Sequence, residues 1–163
     1  MGRLLDQLRW YKQKDDRGIM ASLRCVLVDS KKHRAWPALH RLGVAITDKD
    51  SAYIAGFFVM HPNEDTKGNF GNTCLAIEKK RREKRSKDNK LTPTERRFQH
   101  LLNAEKGAEL YGRLIRMVKL AKSNEVRVNY EQLETDLYFW NERTKTEWAA
   151  AFWSQSSSMH EED

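Results

Sequence analysis

The chain is short of cysteine, short of proline and free of long apolar runs, and each shortage removes a class of protein. Cys25 and Cys74 are the only cysteines in 163 residues and lie far apart, so no disulfide framework organises the fold and a reducing cytoplasm is the simplest setting. No segment reaches the roughly 18 apolar residues that would suggest a membrane span. The N-terminal MGRLLDQLRWYKQK carries charges throughout and lacks the uninterrupted apolar stretch of a signal peptide. Gly2 is followed by Asp6 where a myristoylation signal needs Ser or Thr.

Catalytic chemistry is equally sparse. His33, His40, His61, His100 and His160 are dispersed, with no His-Glu-x-x-His or similar ligand spacing, and neither cysteine has a Cys or His neighbour. The carboxylate pairs Asp15–Asp16 and Glu134–Asp136 read as a helix cap and a solvated face. A two-carboxylate hydrolase or a metal nuclease would need acids gathered from distant segments. Gly68-x-x-Gly71 lacks the Gly-Lys-Ser/Thr end of a phosphate-binding loop and follows no strand. The expectation is a protein that is not an enzyme, with no metal and no cofactor.

What the chain has is charge. Thirty Lys and Arg against 23 Asp and Glu leave a formal net charge of +7, which points to a polyanionic partner, nucleic acid before an anionic membrane surface. Hydrophobic residues make up 39% and charged residues 33%, the balance of a globular protein with a heavily charged surface.

Every segment of useful length has helical period, so the fold class is all-α. Leu4, Leu5, Leu8 and Tyr11 share a face of a first helix from Arg3 to about Lys14. Asp15 or Asp16 caps a second, with Ile19, Leu23, Val26 and Leu27 as its stripe. Pro37 suits the first turn of a third, continued by Leu39, Leu42, Val44 and Ile46. Asp48 or Ser51 caps a fourth, whose AYIAGFFVM is oily on nearly all sides and therefore central, and which stops before Pro62. His61 to Thr73, rich in Gly and Asn, reads as a loop. Glu78 to Lys90 holds eight Lys or Arg against Glu78, Glu83 and Asp88; its start continues a helix through Leu75, Ala76 and Ile77, and its end reads as a connection. Toward the C-terminus, Asn129 caps a helix bearing Tyr130, Leu133, Leu137 and Trp140, and a last helix from about Glu142 carries Trp148, Phe152 and Trp153. Only VRVNY hints at a strand. Trp36, Trp140 and Trp148 fall on apolar stripes, whereas Trp10 and Trp153 are open to core or partner roles. The expected organisation is two small helical bundles, residues 1–75 and 92–155, joined by a basic connecting segment, 76–91, and followed by a polar tail, 156–163.

The stretch Thr92 to Lys122 stands out. Thr92, Pro93 and Glu95 form a capping-box start, and Phe98, Leu101, Leu102 and Ala104 supply the apolar side, with Arg96, His100 and Asn103 opposite and Arg97 on the flank. After Gly107 a second helix repeats the design, with Tyr111, Leu114, Ile115, Val118 and Ala121 inward and Arg113 and Arg116 pointing away. A core face backed by arginines is either a solvated bundle surface or a phosphate-binding one, and periodicity does not choose between them.

The C-terminal half resembles the CasB family, the small subunit of the type I-E CRISPR surveillance complex (Cascade). The resemblance is carried by Glu95-Arg96-Arg97-Phe98, Leu101-Leu102 and Ala104, then Leu114-x-Arg116 with Val118. It continues through Val128-Asn129-Tyr130 with Leu133, Asp136-Leu137 with Trp140, and the closing Trp148-Ala149 and Phe152-Trp153. In the N-terminal half Asp16-Arg17-Gly18, Ala21 and Leu23-Arg24 are similar to the family's early arginine-bearing helix, with Cys25 where a second arginine often stands. The resemblance implies a non-catalytic, all-helical Cascade subunit that helps hold crRNA, target strand and displaced strand. Its implied partners are the backbone and large subunits and a second copy of itself. By motif position it assigns nucleic-acid contacts to Arg96, Arg97, Arg116 and Arg24; Arg113, Lys79, Lys80, Arg81 and Arg82 join them on charge and placement. A stand-alone helical regulator and a structural adaptor remain the alternatives.

Overall fold

The computed structural model describes residues 3–81 and 90–161, the last eight of these as backbone only. Within them the chain is all-helical. Nine α-helices follow one another among the described residues: α1 (Arg3–Gln13), α2 (Arg17–Arg24), α3 (Trp36–Arg41), α4 (Lys49–Met60), α5 (Phe70–Arg81), α6 (Pro93–Leu102), α7 (Ala108–Ser123), α8 (Tyr130–Tyr138) and α9 (Glu142–Glu161). Two 3-10 segments, Cys25–Leu27 and Asp29–Ala35, lie between α2 and α3. The strand hinted at by VRVNY amounts to one isolated parallel bridge between Val128 and Glu64.

Helix α4 is the hub, packed against α1, α2, α7 and α8. Eight of its residues are buried, from Ala52 to Met60, as its all-round apolar sequence requires. Asp48 caps it by accepting from the Ser51 amide at 3.2 Å. Its C-terminal end is tied to the far half of the chain. The buried Tyr130 hydroxyl reaches the Phe57 and His61 carbonyls at 3.1 and 2.5 Å, and the His61 ring lies 2.6 Å from the Val126 carbonyl. The bond from Tyr130 gives the His61 carbonyl, at the C-cap of α4, a partner that the helix itself does not supply, while the Phe57 carbonyl also accepts from the His61 amide at 2.9 Å.

Helix α5 runs through residue 76, where the sequence suggests a change from lobe to connection, and packs on α6, α7 and α9. At its start the approach to α9 is very close. A Cβ on Gly71 would stand 2.1 Å from the Trp148 carbonyl oxygen, so only glycine fits there. Phe70 lies against Trp148 at 5.4 Å, and Phe98 stacks on Phe152 at 4.5 Å.

Four local expectations are corrected. Helix α3 ends at Arg41 instead of continuing to Ile46, because Gly43 turns with a φ of +74° and leaves Ile46 exposed. Helix α5 begins at Phe70, inside the expected loop. Asn69 accepts from the amides of Gly71 and Asn72, while Asn72 accepts from the Asn69 amide, a reciprocal cap built from asparagines. Trp36 is 38% exposed, since it opens a short helix at the surface. Asp136 is not on a solvated face: it is buried and takes hydrogen bonds from Trp148 Nε1 at 2.7 Å and Gln132 Nε2 at 2.9 Å.

Candidate nucleic-acid interface

The N-terminus of α6 is held by neighbours on two sides. Thr92 accepts from the Glu95 amide and Glu95 Oε1 accepts from the Thr92 amide, both at 3.1 Å, completing the capping box. The Thr92 hydroxyl donates to Glu78 of α5 at 2.8 Å, and Glu95 Oε2 accepts from the Trp153 indole of α9 at 3.2 Å. Phe98 and Leu101 are fully buried one and two turns on. With that side fixed inward, Arg96, Arg97 and His100 are exposed on the other.

Helix α7 meets α6 with Leu110, Leu114, Met117 and Val118 buried. Arg116 is exposed, but Arg113 is half-buried rather than directed away as its position suggests. Its side chain retains 32% exposure and reaches Glu109 at 3.5 Å, while Nε is buried with no hydrogen-bond partner. An unpaired buried N–H costs about 1–3 kcal/mol, more when the group is charged.

Arg96, Arg97, His100, Arg113, Arg116 and Met117 line one cavity of about 190 Å³ between the two helices. A second recess, lined by Lys90, Leu91, Arg96, Gln99 and His100, shares Arg96 and His100 with the first. Arg96, Arg97 and Arg116 make no ion pair among the described residues, and the neighbouring acid Glu109 pairs with Arg113. Guanidinium groups stay charged at any physiological pH, so four of them around one cavity repel one another until an anion enters. Phosphate matches both the charge and the forked donor geometry.

The other expected contacts lie elsewhere. Arg24, on α2, donates to the Val59 carbonyl in the last turn of α4 at 3.3 Å. Lys79, Lys80 and Arg81 occupy the exposed last turn of α5, linked to α6 through Glu78 and Thr92 but outside the cavity lining. Arg82 lies outside the described residues. His100 is not among the residues assigned from the sequence, although the spacing already sets it one turn after Arg96 on the same face. Among the described residues no group of His, Cys, Asp and Glu is placed to hold a metal ion. No helix there is long and apolar enough to cross a membrane.

Comparisons with known proteins agree on one family. The family model for CRISPR-associated protein Cse2 matches residues 19–153. A search of curated protein sequences gave no match. Among solved structures, CasB from M. ruber is similar with a TM-score of 0.71 at 21% identity, over 97% of this chain and 96% of that one. A Cse2-family CRISPR-associated protein from Thermus thermophilus gives 0.72 at 19% identity, over 93% and 96%. A structure of CasB from Thermus thermophilus gives 0.70 at 20% identity with the same coverage. At these identities the structural likeness speaks for the helical fold, and the family model, spanning most of the sequence, speaks for descent: the chain belongs to the Cse2 family of CRISPR-associated proteins.

Proposed function

We propose that the chain, as a Cascade small subunit, is a non-catalytic scaffold whose α6/α7 face grips the sugar-phosphate backbone of nucleic acid during R-loop formation. The observation that carries this reading is the convergence of Arg96, Arg97, Arg113 and Arg116 on one cavity, with Arg113 Nε buried and unpaired. In an RNA-guided complex, base pairing reads the sequence, so a subunit of this kind needs rigidly held positive charge and no base-reading motif. The partners proposed for it are crRNA, both strands of target DNA, the backbone and large subunits, and a second copy of itself. Lys79, Lys80 and Arg81 would extend the basic face onto the last turn of α5, and Arg24 would contribute only where its bond to Val59 leaves donors free.

The test is target-DNA binding by the reconstituted complex over a salt series, with the native subunit and with Arg96, Arg97 and Arg116 all replaced by Ala. The triple variant should assemble normally and bind target more weakly for every guide sequence. Its salt dependence should become shallower by roughly 0.7–0.9 for each phosphate that is no longer gripped. If it binds as tightly as the native complex at every salt concentration, the face is merely solvated and the reading fails.

A further inference from the structure

A second cleft lies beside the start of α7, away from the arginines. It is bounded by the 3-10 helix Asp29–Ala35, by α3, by α4 and by the first turn of α7, encloses about 390 Å³, and shares no lining residue with the α6/α7 cavity. Its walls are aromatic and apolar. Trp36 and Ile46 are 38% and 47% exposed, and behind them Tyr53 and Tyr111 stack with ring centres 4.2 Å apart and planes within 14°. His33 packs edge-on to the Trp36 indole at 4.8 Å.

The rim is basic. Lys32 and Lys49 line the cleft, and Lys31 and Arg34 are exposed on the adjoining 3-10 helix. Three acids lie nearby. Asp29 lines the cleft and pairs with Lys32 at 3.4 Å, and Asp48 is bonded to the Ser51 amide and hydroxyl at the start of α4. Asp50 is bonded to Lys106 at 2.8 Å and to the Tyr111 hydroxyl at 2.5 Å. Lys31, Arg34 and Lys49 make no ion pair among the described residues and remain as the unpaired charge of the rim.

We propose that this cleft receives a single unstacked nucleobase, stacked against Trp36, while the surrounding Lys and Arg side chains hold the flanking phosphates. Nucleic-acid-binding proteins of low sequence preference combine a basic track with aromatic faces in this way, since every base presents a π-face. An apolar side chain from a protein partner would fill the same wall, but it would leave Lys31, Arg34 and Lys49 unmatched. That charge complementarity favours a nucleotide.

The test uses the full-length protein with two fluorescently labelled hexanucleotides of equal charge, oligo-dT and its fully abasic counterpart. The native protein should bind oligo-dT at least about fivefold more tightly than the abasic chain. Trp36→Ala and Trp36→Leu should abolish most of that difference, and Trp36→Phe should restore it. The Arg96/Arg97/Arg116 triple variant should bind both chains more weakly yet keep their ratio, which separates this inference from the phosphate-grip reading. Photo-crosslinking of the native protein to a 5-iodouracil hexamer should map to Trp36 or Tyr53, a readout that does not depend on any variant folding. Equal binding of the two hexamers by the native protein, or crosslinks confined to α6 and α7, overturns the proposal. So does a Trp36→Ala variant that keeps the base preference and loses only its incorporation beside other Cascade subunits, which would make the cleft a protein-docking face.

Discussion

Helix α6 borders two regions built on opposite terms. Toward α5 and α9 it meets a packed seam, where Phe98 stacks on Phe152 and Glu95 is tied to the Trp153 indole. Toward α7 it opens a cavity lined by four arginines and a histidine. The two lie on opposite sides of a cylinder roughly 10–12 Å across. The comparison teaches that stability and charge crowding are separated by helix face and not by domain. The repulsion among Arg96 and Arg97 of α6 and Arg113 and Arg116 of α7 is tolerated because α6 is clamped on its other side and α7 buries its own apolar face.

Changes to the seam should therefore cost stability, and changes to the cavity should cost very little. Trp148→Ala carries the largest expected effect. It removes a fully buried side chain and strips Asp136 of its indole donor, so thermal or urea unfolding should report a loss of about 3–5 kcal/mol. Phe98→Ala should fall in the same range, about 3–5 kcal/mol, and an exposed-side loss of that size for Arg116→Ala would break the comparison. Gly71→Ala should come next, at about 1–3 kcal/mol or more, since the added methyl meets a backbone carbonyl that no rotamer change can move. Thr92→Ala, which removes a cap and a bond to Glu78, should cost about 0.5–2 kcal/mol by the same measurement.

Arg96→Ala, Arg97→Ala and Arg116→Ala should each shift stability by no more than about 0.5 kcal/mol, read by thermal melts at low and high salt. The smallest signal is a pH dependence. Burial raises the Asp136 pKa above the ordinary carboxylate value, opposed by its bonds from Trp148 and Gln132. A raised acid pKa means the folded state holds its proton longer than the unfolded state does. The contribution of Asp136 is thus most favourable below the unfolded carboxylate pKa and is lost as pH rises through the folded value. Asp136→Asn should remove that portion of the slope in urea titrations run at several pH values across the carboxylate range.

Features that depend on a few neighbouring residues were legible in the sequence. The Thr92–Glu95 capping box, the Asp48 and Asn129 caps and the burial of α4 on all sides follow from local spacing, and each is present. The all-helical class follows from the same periodicity. Features set by distant partners were not. Asp136 looked solvated because Trp148, the donor that makes its burial tolerable, arrives only with α9. Trp36 looked internal because its place on an apolar stripe says nothing about where so short a helix sits. The start of α5 was hidden by residues that usually signal a loop, Gly68, Asn69 and Asn72, of which the two asparagines here form its cap. At the candidate interface, the exposed faces of α6 and α7 were readable one helix at a time. Their shared cavity, and the half-burial of Arg113, arise from the crossing of the two helices, which no single-helix pattern encodes.

The glycine notch at residue 71 has a mechanical consequence. Where a helix backbone sits directly on the carbonyl of its neighbour, with a virtual Cβ only 2.1 Å away, the two cylinders are indexed like a pin in a detent. Sliding α9 along α5 would carry the Trp148 carbonyl away from the single position of that helix lacking a side chain and toward Cys74 and Leu75, the next buried residues on the same face. Shear along this seam is thereby blocked, and a load applied at the arginine face of α6 passes through Trp153 and Phe152 into α9, and from there into α5, as into a rigid strut.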